Sequence, residues 1–336
     1  MFKNKSILVT GGAGYVGSGL LRELLAEGCH VTCVDNLMFG GESLLDILHN
    51  KNFTFIKCDI NDYEQLNIIF NKNDFDSVIH LAAIVGDPAC KLYSDLAFKT
   101  NWISSKWLIE KSQSSGVSKF LFASTCSNYG KMDDPEAFVD ENSKLAPVSL
   151  YAELKVKFEN YMLNEIKKND RFSPTSLRFS TVYGLSPRMR FDLTVNEFTK
   201  DLALGKELII FGEQFWRPYC HVKDFSNAFI TILKAPKEKV AYNVFNVGDT
   251  KENYTKQMLI NQIKKVLPES KIKYVKKNDD PRDYRVNCDK IKNELGFKIS
   301  MTVPNGIMEI KRIIQEGIIK DSEDQKYYNI PHEKQK

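Results

Sequence analysis

The sequence contains no long hydrophobic run, no concentrated block of basic residues and no paired Cys/His spacing typical of a metal site. Its longest apolar stretches, around residues 78–85, are far shorter than the roughly 20 residues that span a membrane. The 47 Lys and Arg residues are interspersed with 43 Asp and Glu residues and leave a net charge of +4, so no nucleic-acid-binding face is predicted. Seven cysteines, an odd number without repeated spacing, indicate reduced thiols. We therefore expect a cytoplasmic protein without a metal, membrane or nucleic-acid partner.

Signals of processing and of modular construction are also missing. Residues 1–5 lead directly into a strand-like run, without the apolar segment of a signal peptide. No Pro/Ser-rich linker, internal repeat or low-complexity block interrupts the chain. The 336 residues, 43% hydrophobic and 27% charged, are expected to form one large or two modest globular domains.

The first half of the chain alternates between short strand-like runs and amphipathic helical stretches. This alternation predicts an α/β fold with a doubly wound parallel sheet of the Rossmann type. The predicted helices lie at 16–26, 62–71, 95–115 and 150–168. The predicted strands lie at 7–10, 30–34, 53–58, 77–81, 119–123 and 176–179.

After about residue 185 the pattern changes, and we predict a smaller α+β lobe that is interleaved with the sheet and binds the substrate. Helices are predicted at 191–204, 224–235 and 254–267, and strands at 207–211, 243–246 and 272–274. The predicted division is a nucleotide-binding domain at 1–185, to which about 213–247 returns, a substrate lobe at 186–320, and a polar, frayed tail at 321–336.

A glycine-rich segment follows the first predicted strand directly. Residues 10–17 read Thr-Gly-Gly-Ala-Gly-Tyr-Val-Gly, with Gly11, Gly14 and Gly17 at three-residue spacing. Glycines let the backbone turn tightly and approach a pyrophosphate, and the following helix offers free N–H groups and its positive dipole end. We therefore predict a dinucleotide site that includes Tyr15 and Val16.

Asp35 closes the second strand, where an acid binds the adenosine ribose hydroxyls and repels a 2′-phosphate. No Arg or Lys follows before Lys51, so the sequence predicts NAD rather than NADP. For Ala82 and Ala83, which follow the fourth strand, the sequence is equally compatible with contact to the cofactor and with a role in packing. Further predicted cofactor contacts come from neighbouring strand ends: Asn36, Asp59, Ile60, Leu81, Ala82 and Ala83.

Tyr151 and Lys155 are four residues apart, hence on one face of a predicted helix. A phenol is a weak base at its ordinary pKa of about 10, and a nearby ammonium with the positive nicotinamide of oxidised NAD would lower that pKa. Thr125, directly after the fifth strand, can orient a substrate hydroxyl. We predict that Tyr151 takes a proton from a sugar hydroxyl while hydride leaves its carbon for NAD.

The glycine motif, the Ser-Thr-x-x-x-Tyr-Gly segment at 124–130 and the Tyr-x-x-x-Lys pair together resemble the extended short-chain dehydrogenase/reductase family acting on nucleotide sugars. The resemblance covers about residues 5–315. It implies Thr125, Tyr151 and Lys155 as the catalytic triad, Asn101 as a helix residue supporting the cofactor site, and a nucleotide-diphosphate sugar as substrate.

The resemblance also implies a homodimer in which the helices near 95–112 and 150–168 pair into a four-helix interface. Both helices carry apolar residues beyond those that a sheet face needs. The predicted interface residues are Leu96, Trp102, Leu108, Leu154, Phe158 and Tyr161.

Two further segments are similar to substrate-binding motifs of the family. Residues 177–184 resemble Leu-Arg-x-x-Asn-x-Tyr-Gly, with Thr181 in place of the usual Asn. Residues 216–224 resemble Arg-Asp-x-x-His-Val-x-Asp, in which Arg217 would bind the diphosphate and Pro218 replaces Asp. The predicted substrate ligands are Thr125, Thr181, Arg188, Arg190, Arg217 and Arg282.

The remaining arginines differ in their surroundings in the sequence. Arg282 lies in Pro281-Arg282-Asp283, which is similar to a later family segment with altered spacing. Arg188 and Arg190 lie in Ser-Pro-Arg-Met-Arg and are equally compatible with plain surface exposure.

The residues after Thr125 separate the possible reactions. Family members that eliminate water carry Asp-Glu there, whereas this chain has Cys126-Ser127, which disfavours a 4,6-dehydratase. Cys126 is predicted to fill space rather than to act as an acid or base in C3/C5 epimerisation. The sequence therefore predicts an NAD-dependent nucleotide-sugar epimerase that acts by hydride transfer at C4 through a 4-keto sugar.

Two alternatives remain beside C4 epimerisation. Residues 188–199 are somewhat similar to nucleotide-sugar 4-dehydrogenases of capsule pathways, so a 4-dehydrogenase or 4-ketoreductase is possible, for example on a GDP-heptose-like precursor of a surface polysaccharide. A dinucleotide-sensing regulator without turnover is the non-enzyme alternative, and the retained triad argues against it.

Overall fold

The computed structural model describes residues 3–132, 134, 137–276 and 282–330. Its strands are β1 (Ser6–Thr10), β2 (His30–Asp35), β3 (Phe53–Lys57), β4 (Ser77–His80), β5 (Lys119–Thr125), β6 (Ser173–Phe179), β7 (Thr181–Tyr183), β8 (Leu208–Phe211), β9 (Trp216–His221), β10 (Asn243–Val247), β11 (Asn253–Thr255) and β12 (Ile272–Val275). Its helices are α1 (Tyr15–Ala26), α2 (Tyr63–Lys72), α3 (Asp87–Leu92), α4 (Ser94–Phe98), α5 (Ser105–Ser114), α6 (Leu150–Asn160), α7 (Thr194–Ala203), α8 (Val222–Lys234), α9 (Lys237–Val240), α10 (Lys256–Lys264), α11 (Asp289–Leu295) and α12 (Val303–Gln315).

Seven parallel strands form the main sheet in the order β3-β2-β1-β4-β5-β6-β10. The predicted doubly wound α/β fold is therefore confirmed. Helices cover both faces, so all seven residues of the central strand β6 are buried, including the polar Ser173, Thr175, Ser176 and Arg178. The strand order changes direction between β1 and β4, where such sheets open a ligand crevice at the carboxyl ends of their strands.

A buried histidine in this sheet has hydrogen-bond partners for both of its ring nitrogens. The imidazole of His80, at the end of β4, bonds the Thr10 hydroxyl at 2.8 Å and the Ser105 hydroxyl at 2.9 Å. Burial, and to a lesser degree the charge of Lys155, lowers the pKa of His80 to about 3, so the ring is neutral. His80 thus ties β1, β4 and α5 together.

The smaller lobe contains a three-stranded sheet, β7-β9-β11, and a two-stranded sheet, β8-β12. The chain enters this lobe after β6, returns to the main sheet with α8 and β10, and enters the lobe again at β11. Within the stretch 213–247, β9 pairs in the lobe, whereas α8 packs on α1 and β10 pairs with β6. The lobe is therefore interleaved with the sheet along the chain.

Two predicted helices contain π-helical segments. The helix predicted at 95–115 consists of α4, a π-helical stretch at Lys99–Ser104 and α5, and α6 is extended by a π-helical stretch at Tyr161–Glu165. The sequence pattern did not identify α12, although Ile307, Ile310 and Ile314 have helical spacing and are buried.

The apolar stripes predicted for a dimer interface are mostly occupied within the chain. Leu108, Leu154 and Phe158 are buried in the core, so the prediction that they face a partner is wrong. Among the predicted residues Leu96 is exposed. The other exposed apolar side chains of this region are Leu92, Tyr93, Phe98 and Ile103.

The prediction of a frayed tail is wrong for residues 321–330, and residues 331–336 lie outside the described part. The buried ammonium of Lys200 donates to Glu323 at 2.8 Å and to the Tyr328 hydroxyl at 2.9 Å. Tyr328 and Ile330 are themselves buried. A short polar sequence therefore packs because a buried lysine of α7 and apolar contacts hold it.

Candidate active site

A cavity of about 840 Å³ opens at the carboxyl ends of β1, β2, β4 and β5. We call its two sides the cofactor wall, formed by the described residues between 11 and 89, and the substrate wall, formed by residues after 178. Every predicted site residue lines this cavity except Asn101. No helix among the described residues has the length and apolar composition needed to cross a membrane.

The glycine-rich loop lies at the centre of the cofactor wall. Gly11 has φ +74°, and a Cβ on it would lie 2.6 Å from the backbone nitrogen of Ala82. A Cβ on Gly17 would lie 2.6 Å from the Cα of Gly12 and would also meet the Gly11 carbonyl oxygen. The N-terminus of α1 has no side-chain cap and no acidic residue in its first turn. These features fit a pyrophosphate against the loop and the helix N-terminus.

Asp35 lies in the cavity beside this loop. Its carboxylate accepts the N–H of Ala13 at 3.0 Å and the N–H of Leu37 at 2.8 Å. Burial raises the pKa of Asp35. Nearby, the side-chain amide of Asn36 donates to Asp59 at 2.8 Å. Asp35 therefore shapes the loop, and its cavity-facing position also suits a ribose.

Two of the predicted cofactor residues also form hydrogen bonds within the chain. The amide of Asn101 bonds the backbone N–H and C=O of Ile84 at 2.8 and 2.9 Å, so it holds the segment after β4 from behind. The Tyr15 hydroxyl donates to the Gly184 carbonyl at 2.6 Å, which links α1 to the lobe, and Tyr15 also lines the cavity.

Thr125, Tyr151 and Lys155 line one cavity. Ser149 caps α6, which begins directly before Tyr151, and Thr125 ends β5. The Lys155 ammonium donates to the Ala123 carbonyl at 2.7 Å and lies 5.8 Å from the centroid of the Tyr151 ring. The structure thus brings the three predicted catalytic residues together.

The pKa values of the pair differ from the expectation for the cofactor-bound enzyme. Burial raises the pKa of the Tyr151 phenol, and burial lowers the pKa of Lys155 to about 8. In the chain alone, desolvation of the Tyr151 phenol outweighs the lowering by the Arg190 charge, so the pKa of Tyr151 is raised.

The pair after Thr125 has no carboxylate. Cys126 is buried away from the cavity, and its thiol donates to the Arg178 carbonyl at 3.2 Å. Burial raises the pKa of Cys126, and Ser127 is the member of the pair that lines the cavity. Cys126 therefore fills space, as the sequence predicted.

The four predicted arginines do not form one cluster. Arg217 lies 5.4 Å from the Tyr284 ring centroid, and Arg282 pairs with Asp87 at 2.7 Å. Arg190 forms two bonds of 2.8 Å to Asp192. Arg188 stacks on Phe39, which belongs to the cofactor wall. Thr181 lies in β7 and lines the cavity, whereas Pro281 lies outside the described residues.

Several cavity residues belong to no motif that the sequence displays. Asp87 accepts bonds from Arg282 and from Ser149 at 2.6 Å, and Tyr284 faces Ser127. Arg282 and Asp87 are 195 positions apart, so no local pattern could have paired them. Further cavity residues that were not predicted include Glu197, Lys256, Tyr328, Asn329 and Ile330.

The fold and this cavity define a dinucleotide-binding enzyme of the Rossmann class. Residues 7–248 match the sequence model of the NAD dependent epimerase/dehydratase family. A probable UDP-arabinose 4-epimerase of Oryza sativa is 30% identical over 88% of this chain and 78% of its own length. A UDP-glucose 4-epimerase of Erwinia amylovora is 29% identical over 72% of this chain and 77% of its own length.

A solved UDP-glucose 4-epimerase of Thermotoga maritima with UDP-glucose has a TM-score of 0.81 at 28% identity, covering 93% of this chain and 99% of its own. The chain belongs to the NAD dependent epimerase/dehydratase family. The resemblance inferred from the motifs is confirmed, and the chain is an NAD-dependent enzyme of the nucleotide-sugar epimerase/dehydratase group.

Proposed function

We propose that this enzyme is a nucleotide-sugar 4-epimerase that oxidises C4 reversibly through a transient 4-keto sugar. The observation that carries the proposal is the set of groups at the end of β5 and the start of α6. Thr125, Tyr151 and Lys155 face the cavity, while the pair after Thr125 offers a buried thiol and a hydroxyl in place of two carboxylates. The names of the curated relatives support the same reaction.

The chain's own residues provide the proton chemistry. Tyr151 accepts the proton of the C4 hydroxyl, and Thr125 orients that hydroxyl. The Lys155 ammonium, 5.8 Å from the ring centroid, and the guanidinium of Arg190 are the positive charges that favour the phenolate. When bound, NAD supplies the acceptor and donor of the hydride. Return of the hydride to the opposite face of the ketone gives the epimer.

We propose that the substrate wall holds a nucleoside diphosphate through Arg217, Arg282 and Arg190. A guanidinium suits a diphosphate because it donates two parallel hydrogen bonds. Thr181 replaces the amide found in the family, so we expect its contact with the sugar nucleotide to be a single hydroxyl bond. A UDP-sugar is the substrate we expect, because the relatives are named as UDP-sugar 4-epimerases.

The reaction is tested with UDP-, dTDP- and GDP-linked hexoses and pentoses in deuterated water, followed by mass spectrometry. We expect a C4 epimer without solvent deuterium and without net NADH, because the same hydride returns to the sugar. Stoichiometric NADH with a 4-keto product would make the enzyme a 4-dehydrogenase. Loss of 18 mass units, or deuterium at C5 or C6, would contradict the proposal.

Tyr151→Phe should lower the turnover rate by about 10²- to 10⁴-fold, because it removes the proton acceptor. Nucleotide-sugar binding, measured by calorimetry, should remain within about threefold because the ring and the arginines are unchanged. Tyr183→Phe is the matched control, since the Tyr183 hydroxyl lies outside the cavity and contacts the Met301 carbonyl at 3.4 Å. Full activity of Tyr151→Phe would rule out its assigned role.

We also propose that the enzyme is a homodimer. Leu92, Leu96, Phe98 and Ile103 form an exposed apolar surface on and beside α4, and burial of such a surface favours association. Light scattering should give twice the chain mass of 38.5 kDa. A mass near 38.5 kDa throughout the micromolar range would contradict this proposal. All seven cysteines are buried thiols, which supports our expectation of a cytoplasmic enzyme.

A further inference from the structure

Arg188 is a buried cation that forms no ion pair in the part of the chain that the structure describes, because the nearby Asp192, which raises its pKa, is bonded to Arg190. The residue is 6% exposed, and its Nε and Nη2 atoms have no hydrogen-bond acceptor in the part of the chain that the structure describes. Its guanidinium carbon lies 4.4 Å from the Phe39 ring centroid. Burial lowers the pKa of Arg188 to about 10, which still leaves it charged near neutral pH. A buried charge is costly unless an opposite charge or hydrogen bonds compensate it, so this side chain lacks a partner that a bound anion would supply.

The position of Arg188 is tied to the first turns of α1. The Arg188 backbone N–H donates to the Ser18 hydroxyl at 3.4 Å, and that hydroxyl lies 3.0 Å from the Ser186 hydroxyl. The Ser186 hydroxyl in turn donates to the Tyr15 carbonyl at 2.5 Å. Tyr15 and Ser18 belong to the helix whose N-terminus follows the glycine-rich loop. Arg188 therefore approaches the cofactor wall, although it is far from that wall in the sequence.

The neighbouring arginines have different surroundings. Arg190 is neutralised by Asp192 through two hydrogen bonds, and Arg282 is paired with Asp87. Arg217 stacks on Tyr284 in the substrate wall. Arg188 thus combines a charge without an acceptor for Nε or Nη2 with a position beside the uncapped N-terminus of α1.

We propose that Arg188 binds the diphosphate of the dinucleotide cofactor and completes the anion site formed by the glycine-rich loop and the N-terminus of α1. This inference rests on the proposed NAD-dependent function, and it assigns Arg188 to the cofactor instead of the substrate diphosphate. The cation–π contact with Phe39 holds the guanidinium in place while its Nε and Nη2 groups, which have no partner within the described residues, remain available for phosphate oxygens. Phe39 follows Asp35 by four residues, so one loop contacts the cofactor through Asp35 and orients Arg188 through Phe39.

The proposal predicts opposite effects on the free and the bound protein. Arg188→Met removes an uncompensated buried charge, so the melting temperature of the ligand-free protein should stay the same or rise. The additional rise in melting temperature on adding NAD should shrink, because the bound diphosphate loses a charge-assisted partner. Arg190→Met is the matched control: it leaves Asp192 unpaired and should lower the melting temperature without weakening NAD binding.

Calorimetric titrations of wild type, Arg188→Lys, Arg188→Met and Arg190→Met with NAD, ADP-ribose, ADP, adenosine, NADP and UDP test the assignment. Arg188→Met should weaken NAD, ADP-ribose and ADP by about 10- to 100-fold, the range expected for a charged hydrogen bond. The affinities of Arg188→Met for adenosine and UDP should change by less than about threefold. The affinity of Arg188→Lys for NAD should be intermediate, because lysine retains the positive charge but lacks the bidentate guanidinium.

Other results would overturn the proposal. A loss confined to UDP would return Arg188 to the substrate, and a loss confined to NADP would place it at the ribose 2′ position. A lower melting temperature of ligand-free Arg188→Met, with unchanged NAD affinity, would mean that Arg188 only supports the loop through Phe39. Failure of the wild type to bind NAD or ADP-ribose would instead contradict the proposed function itself.

Discussion

The two walls of the cavity are built from the chain in different ways. The segments of the cofactor wall follow β1, β2, β3 and β4 in chain order, at residues 11–17, 34–40, 58–61 and 81–89. The segments of the substrate wall are widely separated along the chain, at residues 179–197, 217–219, 282–284 and 328–330. The cofactor wall uses backbone groups and glycines, which require fixed local spacing. The substrate wall uses long side chains that distant parts of the chain bring together, and so tolerates more local variation.

The largest expected effect is a loss of NAD binding on substitution of Gly17, with Gly19 of the same helix as the comparison. Gly17→Ala should abolish measurable NAD binding and destabilise the protein by about 1–3 kcal/mol, because the new Cβ would meet the backbone of Gly11 and Gly12. Gly19→Ala is the matched control in the same helix, where the Ser226 hydroxyl lies 3.8 Å from the new Cβ. This control should bind NAD normally and gain up to about 1 kcal/mol in stability.

Thermal unfolding with and without NAD distinguishes these two variants. Equal NAD binding by both variants would contradict the view that the cofactor wall requires fixed local spacing. The wall would then tolerate a change at its closest backbone contact.

The next largest expected effect is a pH dependence of the protein's stability that comes from the neutral, buried His80. The pKa of His80 is about 3 in the folded protein and about 6.5 in an unfolded chain, so the unfolded state binds more protons between these values. Stability from His80 is therefore present above about pH 6.5 and is lost as the pH falls, by about 2 kcal/mol between about pH 8 and about pH 5. His80→Gln should lack this contribution.

Urea unfolding of wild type and His80→Gln at several pH values measures the difference between their pH slopes. Because both proteins share all other titrating groups, the difference isolates His80. Parallel slopes would show that folding does not shift the pKa of His80.

A smaller effect is expected where the C-terminal segment meets the substrate wall. Lys200→Met should release Glu323 and Tyr328, and should lower UDP affinity by about tenfold while leaving NAD affinity unchanged. Lys206→Met is the matched control, since Lys206 contacts the same carboxylate from solvent at 2.7 Å. An exposed pair of this kind is worth only about 0–1 kcal/mol.

Proteolysis near Tyr327 and calorimetry with UDP report the two halves of this prediction. Faster cleavage of Lys200→Met without any change in UDP affinity would show that the segment only covers the wall from outside.

The cofactor wall could be predicted from the sequence because each of its signals is local. Gly11, Gly14 and Gly17 lie between a strand and a helix, and Asp35 ends the next strand. These four residues, together with the strand and helix patterns around them, are sufficient to predict a dinucleotide site. The pair Tyr151 and Lys155, which we propose to be catalytic, was recognised for the same reason, because residues four apart lie on one face of a helix.

The substrate wall could be predicted only in part. Arg217 was found through a motif, but the pairing of Arg282 with Asp87 depends on contacts across 195 positions. The packing of residues 321–330 was missed because polar composition predicted fraying, whereas the buried Lys200 supplies the partner that orders this segment. Burial also reversed the expected direction of the pKa of Tyr151 in the chain alone, which no spacing reveals.

The interleaved path of the chain has a consequence for how such enzymes acquire new substrates. The lobe is built from β7 and β9, then from β11 onward, with α8 and β10 of the main sheet between them. A single recombination event therefore cannot transplant the lobe from one gene to another without also replacing α8 and β10. The Tyr15–Gly184 bond further requires any grafted lobe to match helix α1. Diversification of this architecture should proceed through point substitutions along the substrate wall, and laboratory evolution of its specificity is better served by targeted codon libraries than by gene shuffling.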